Sequence, residues 1–253
     1  MSIDTDQAET EQREAPHGYR LGDPISLADF LALPVDGRRW RRDERGRLSD
    51  VLPEEQLEHR DPLASLNAWL ARTLPDPWRP IPEPSIALGE FFARTGKPIP
   101  LSDLGVRAIE PDVALFSGPV EPAPLTRGAV KAVTTRGLRL VVELLSRSTW
   151  RNDLGLGTKA DAVDRWPSYL ASGVPELWIL NVGVGAPCPM APRSGLFLRN
   201  AGDAWEVLPI DDAVPAAGEV HGFRPVSAGV VRSTVGVAFD LGAFWGRLSQ
   251  PEA

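Results

Sequence analysis

Thiol and imidazole chemistry are nearly absent from this 253-residue chain. Cys188 is its one cysteine, so neither an intrachain disulfide nor a thiolate metal cluster can form. His17, His59 and His221 are its only histidines, which argues against a histidine-rich zinc site. Any metal would then be a hard cation held by carboxylates. No uninterrupted apolar run approaches the roughly 18 residues that a membrane helix needs. The first sixteen residues, MSIDTDQAETEQREAP, lack the cationic start and apolar stretch of a secretory signal. A cytoplasmic protein with no membrane partner is expected. There is no Gly-x-Ser-x-Gly elbow, and no histidine pairs with a serine nucleophile in the sequence pattern. GLGTK at 155–159 is a poor phosphate loop, because Thr158 rather than a glycine precedes Lys159.

What the chain does have is turn chemistry. Its 25 prolines and 23 glycines point to many turns and long connections rather than to a helical bundle. The net charge is −7, and residues 1–16 hold five acids and one base, so −4 of it belongs to the N-terminal stretch and only −3 to the rest. Residues 1–22 therefore read as a disordered acidic tail, 23–248 as a single domain and 249–253 as a disordered end. Six arginines crowd into positions 38–47 beside Trp40, with Asp43 and Glu44 among them. The cluster suits either a solvated basic loop or a phosphate contact.

Helical spacing appears twice early in the chain. Ser26 is a candidate N-cap for LADFLALP, which Pro34 ends, and residues 61–74 form an amphipathic helix with Leu63, Leu66, Trp69 and Leu70 on one face. Residues 75–100 are rich in proline, and one irregular strand is expected there, at SIALGEFF. PDVALF (111–116), GLRLVVELLS (137–146) and PELWILNV (175–182) read as strands, the latter two as buried ones. A helical stretch over about 159–171, disturbed by Pro167 and stopped near Gly173, lies between the last two. LFLRN and AWEVLPI make a hairpin across AGD, and VGVAFDLGAFWGRL closes the fold with a strand and a short helix. A strand–helix–strand crossover flanked by hairpins implies a mixed sheet.

Two carboxylates stand out against this frame. Asp112 opens one apolar run and Glu143 interrupts another. A buried carboxylate costs several kcal/mol unless it finds a cation, a hydrogen-bond network or a proton. Two readings divide the case. Either Glu143 pairs with an arginine such as Arg136, Arg139 or Arg147, or the two acids on neighbouring strands share one Mg²⁺.

The order P-D-V-A-L-F, then L-V-V-E-L-L-S-R-S-T, then D-L-G, a lysine, and Y-L-A-S-G-V-P-E-L-W-I-L-N resembles the Uma-type putative restriction endonuclease family. LADFLALPVDGRRW, VLPEEQLEHRDPLASLNAWLA and VGVAFDLGAFW extend the resemblance over residues 26–247. Its most specific stretch is 140–181, where Glu143, Ser146, Ser148, Thr149, Asp153, Tyr169, Gly173, Val174, Glu176 and Trp178 fall in the family's order. The family belongs to the PD-(D/E)XK nuclease superfamily. The resemblance implies an α/β, restriction-endonuclease-like fold: a central mixed β-sheet flanked by helices, with a C-terminal hairpin. It also implies Asp112 and Glu143 as Mg²⁺ ligands (Mn²⁺ substituting), DNA as partner and phosphodiester hydrolysis as the reaction. Many nucleases of this superfamily act as dimers, though nothing in these residues marks a dimer face.

The sequence departs from the family pattern at several points. Leu145 stands two residues after Glu143 where the superfamily signature has a lysine. The family takes its lysine from the next helix, four residues before the tyrosine. Here Arg165 holds that spacing, and Lys159 lies ten residues before Tyr169. Either could fill the third catalytic position. Arg41 and Asn181 stand where the family carries acids. These changes leave a second expectation open: a nuclease-like fold with weakened or lost catalysis that binds DNA or protein. His59 reads as a cap of the helix beginning near Asp61, or as a phosphate contact. Trp166, Trp178 and Trp205 read as packing rather than as base-stacking platforms. Ser146, Ser148 and Thr149 read as turn or capping residues that could also touch phosphate.

Overall fold

A computed structural model describes residues 23–26, 29, 40–42, 48–50, 53–74, 76–84, 86–90, 92–93, 95–98, 109–121, 133–147, 149–156 and 163–248. The acidic tail, most of the expected first helix, Ser148, Lys159 and the C-terminal five residues lie outside that set. By its internal contacts the chain divides into two units, 1–51 and 52–253.

In the first unit, β1 (Trp40–Arg42) and β2 (Leu48–Asp50) form a two-stranded antiparallel ladder with Trp40 opposite Asp50. Ser26 accepts the Asp29 backbone N–H at 3.1 Å, the bond expected of an N-cap.

The second unit begins with α1 (Pro53–Thr73), followed by β3 (Trp78–Pro82), β4 (Ile86–Ala87), β5 (Phe92–Ala93), β6 (Val113–Ser117), β7 (Val133–Thr134) and β8 (Leu138–Leu144). Then come α2 (Trp150–Asp153), β9 (Val163–Asp164), α3 (Arg165–Ala171), β10 (Glu176–Asn181), β11 (Ser194–Asn200) and β12 (Trp205–Val207). β13 (Ile210–Pro215), β14 (Val226–Arg232), β15 (Ala238–Asp240) and α4 (Leu241–Leu248) complete it. One large mixed sheet runs in the order β13-β14-β11-β10-β8-β6-β3, with β12 on β11 and β15 on β14. β8 and β10 are its parallel neighbours, and the other paired strands described in it are antiparallel.

Alternation along the strands sorts the core into two layers. Val113, Leu115, Leu140, Val142, Leu144 and Trp178 face α1, β15 and α4, where Leu66, Trp69, Leu70, Phe239 and Phe244 meet them. Ala114, Phe116, Val141, Leu145 and Ile179 face the other way, against Trp150, Leu154, Val163, Trp166 and Tyr169 of the β8–β10 connection. Both layers consist of large side chains almost wholly removed from water, which is where most of the driving force for this fold resides.

The structure differs from the sequence reading at four places. The helix expected at 61–74 starts at Pro53 and runs through Pro62, so His59 lies inside it rather than at its cap. Asp61-Pro62 imitates an N-cap and first-turn pair, which is why the sequence suggests a start there. The helix expected from about 159 is described from Arg165, with Asp164 as its N-cap accepting the Trp166 N–H. Pro167 then falls in the first turn, where no backbone N–H is needed, and disturbs nothing. Residues 78–82 form a regular strand despite Pro80 and Pro82, because β3 is the last strand of the sheet and prolines are tolerated at an edge. The β13–β14 ladder, bulged between Asp211 and Pro215, had no counterpart in the sequence reading.

The stop at Gly173 follows expectation. Gly173 takes φ +71° and donates to Leu170 O, while Val174 donates to Tyr169 O, so a Schellman motif ends α3.

Asn181, at the family's acidic position, is a loop clamp. Its Nδ2 donates to Val184 O and Met190 O, both at 2.8 Å, and its Oδ1 accepts from the N–H groups of Gly183 and Val184. An aspartate could not donate to either carbonyl. Asn181→Asp should therefore destabilise the protein by roughly 2 kcal/mol. Urea denaturation checks this, and an unchanged midpoint would refute the clamp.

Candidate functional site

Adjacent parallel strands cannot be joined by a tight turn, so the chain leaving β8 must cross a face of the sheet before it enters β10. In this protein it crosses the face that carries Glu143. The antiparallel register pairs Val113 with Val142, so one further step sets Asp112 opposite Glu143 at the end of the β6–β8 ladder. Both side chains then point to the crossover side, since Ala114 and Val141 do. Asp112 is fixed twice: its carbonyl accepts from the Glu83 N–H at 2.8 Å, and its Oδ2 accepts from the Leu144 N–H at 2.5 Å. Pro111, lacking an N–H, cannot continue the ladder there.

Glu143 is 1% exposed. Arg165, the first residue of α3, places Nη1 2.8 Å from Glu143 Oε1, and one turn later Tyr169 donates its hydroxyl to the same oxygen at 2.7 Å. The spacing of four brings both side chains to one helix face. Arg165 Nη1 also lies 3.1 Å from Oδ1 of Asp153, the last residue of α2. Thr149 donates to Asp153 Oδ2 at 2.5 Å, and Ser146 shares a hydroxyl hydrogen bond with Thr149 at 2.9 Å while accepting the Thr149 N–H. Ser146 thus serves as the turn residue the sequence suggests, whereas Thr149 turns its hydroxyl into the site.

Of the sequence candidates, Asp112, Glu143 and Arg165 come together, and Lys159 lies outside the described residues. Two of the three arginines considered as partners for Glu143 are engaged elsewhere: Arg136 pairs with Glu121, and Arg139 donates to Ser117 Oγ. Leu145, in the signature lysine position, is 1% exposed and belongs to the core. The sequence reading missed the roles of Asp153 and Tyr169, although both stand in the family's order. Trp166 is buried against His221, at a ring-centroid distance of 4.6 Å, and Trp178 is buried between Phe197 and Phe239. Trp205 is also buried and donates to Trp166 O.

Burial dominates the electrostatics. Loss of hydration pushes the Glu143 carboxyl up to about 8, Arg165 opposes the rise, and the nearby charges of Asp153 and Asp112 add to it. Tyr169 is raised well above its ordinary value, first by burial and then by Glu143.

Among the described residues no three Asp, Glu, His or Cys side chains converge as a ligand set. Mg²⁺ does not require one, because it commonly takes one or two carboxylates and completes its shell with waters and phosphate oxygens. Asp112 and Glu143 fit that requirement. Both are hard oxygen donors, Asp112 directly before β6 and Glu143 on β8, and among the described residues the hydrogen bonds to Glu143 from Arg165 and Tyr169 both fall on Oε1.

A large mixed sheet with two acids at a ladder end, crossed on that face by the connection that brings Arg165 to one of them, defines a mixed α/β protein. Residues 27–238 match the model of the Uma2 family, described as "Putative restriction endonuclease", and the chain belongs to that family. Among solved structures it is similar to a "putative nuclease belonging to DUF820" from Anabaena variabilis ATCC 29413. Identity is 14%, the match covers 89% of this chain and 99% of that one, and the TM-score is 0.38. No curated protein matches by sequence. No helix among the described residues is long and apolar enough to cross a membrane.

The raised Glu143 carboxyl has a consequence for stability. Between about 4.5 and about 8 the folded protein keeps this proton while the unfolded chain releases it. Without added metal, the Glu143 contribution to stability must therefore fall as pH rises through that window. In chelator-treated protein, thermal midpoints from pH 5 to pH 8 should decline more steeply for wild type than for Glu143→Gln. Parallel curves would refute the raised value.

Proposed function

We propose that this protein is a Mg²⁺-dependent endonuclease that hydrolyses DNA phosphodiester bonds, with Mn²⁺ able to substitute. The observation that carries the reading is the placement of Asp112 opposite Glu143 with Arg165 2.8 Å from Glu143. Membership of a restriction-endonuclease family supports it. Asp112 and Glu143 would hold the cation, which when bound would polarise a phosphate oxygen and make a water more acidic. Arg165 would stabilise negative charge building on the phosphate, but a guanidinium does not lose its proton at neutral pH and cannot act as the base. Tyr169 and the β6–β8 ladder hold the two carboxylates in place. The cytoplasm, and action as a homodimer, belong to the same proposal.

A second reading is favoured by one specific feature. The signature lysine position is a buried leucine, and among the described residues the cation at the site is an arginine, which cannot deprotonate water. This supports a nuclease-like fold with weakened or lost catalysis that acts by binding DNA or protein.

Plasmid nicking with Mg²⁺ decides between them. Wild type should nick, and Asp112→Asn and Glu143→Gln should each lose at least about a hundredfold in rate. Arg165→Ala should lose about ten- to a thousandfold, as expected for removal of one charge-stabilising group. Nicking by both carboxylate variants at the wild-type rate would end the nuclease reading. A folded wild type that retains DNA without nicking it would establish the second.

A further inference from the structure

One buried carboxylate at the site has no task in the chemistry above. Asp153 is 4% exposed and belongs to the four-residue helix α2, on the crossover rather than on the sheet. Its Oδ1 lies 3.1 Å from Arg165 Nη1, and the same Nη1 lies 2.8 Å from Glu143 Oε1. One guanidinium nitrogen is thus divided between a sheet carboxylate and a crossover carboxylate. The crossover partner is itself held, because Thr149 Oγ1 donates to Asp153 Oδ2 at 2.5 Å and Ser146 fixes the turn that carries Thr149. Arg165 is only 19% exposed along its side chain, so water cannot readily replace a lost counter-charge.

These contacts bear on how Glu143 could serve a metal. An arginine with Glu143 as its sole counter-charge would compete with any divalent cation for that carboxylate, since leaving it would strand a half-buried charge. A second carboxylate within reach of the same nitrogen removes the conflict.

We propose that Asp153 is a positioning residue: it retains the Arg165 guanidinium at the site when Glu143 is given over to a divalent cation. The inference rests on the metal-site reading above. Asp153 acts through Arg165 and not as a metal ligand, and its effect on metal affinity exists only while Arg165 is present. Thr149, by holding Asp153, contributes to the same function.

The test is a double-mutant cycle on the full chain, read as Mn²⁺ affinity by calorimetric titration without DNA. Asp153→Asn should weaken Mn²⁺ binding by about tenfold or more in the wild-type background, where Arg165 would then draw more strongly on Glu143. In an Arg165→Gln background the same change should shift affinity by less than about threefold. Equal loss in both backgrounds would overturn the proposal, because Asp153 would then act on the cation directly. Thermal melting reports whether each variant folds. Should Asp153→Asn fail to fold, Thr149→Val decides, with a loss of about two- to threefold expected only when Arg165 is present. Wild-type protein that binds no Mn²⁺ would overturn the metal-site reading and this inference together. Intact wild-type affinity with additive losses would overturn the role of Asp153 alone.

Discussion

The pairing of β8 with β10 is parallel, and that one relation organises the functional half of the molecule. A parallel pair needs a connection long enough to return the chain to the starting edge, and the only room for it is across a sheet face. Here the connection holds α2, β9 and α3, and it packs Trp150, Leu154, Trp166 and Tyr169 against the face that bears Glu143. The apolar contacts that seal the crossover are therefore the same contacts that aim Asp153, Arg165 and Tyr169. Were β8 and β10 antiparallel, a hairpin could join them and nothing in the chain order would bring these side chains near the sheet acids.

Charge balance follows from that placement. Glu143 and Asp153 share one guanidinium in a region mostly removed from water, with the charge of Asp112 nearby, and burial raises the Glu143 carboxyl despite the arginine. The opposite face of the same sheet offers a comparison. Glu176 is also buried, but neutral donors satisfy it: Trp178 Nε1–H, Ser233 Oγ–H and both the N–H and hydroxyl of Thr234. That carboxylate ties β10 to the turn after β14 and faces α1 and α4, away from the crossover. Two family-pattern glutamates on adjacent strands thus have different surroundings, one packed with neutral donors and one facing a guanidinium.

Some of this was legible in the sequence and some was not, for physical reasons. Asp112 and Glu143 announce themselves because a carboxylate in an apolar run demands an explanation. β8 and β10 were legible for the same reason, as dense apolar stretches of strand length. Asp153 and Tyr169 were not, because their importance depends on which face the crossover covers, and no local periodicity encodes that. Arg165 was legible only through the spacing before Tyr169, as one of two candidates. β3 was hidden because proline reads as a breaker until the strand is known to lie at an edge. Of the eight residues that α1 adds before Asp61, Leu57 is the one large apolar side chain, so no apolar stripe marks them.

The prolines of β3 bear on assembly. Along a strand, successive backbone N–H groups point alternately toward the neighbour and toward the open side. Trp78, Pro80 and Pro82 share one parity, while Arg79 and Ile81 share the other and face β6 with intact donors. The outer rim of β3 is thus poor in hydrogen-bond donors, so a stray strand from another molecule would find carbonyls there with few N–H groups to complete a ladder. The composition of β3 itself thus discourages growth of the sheet on this side.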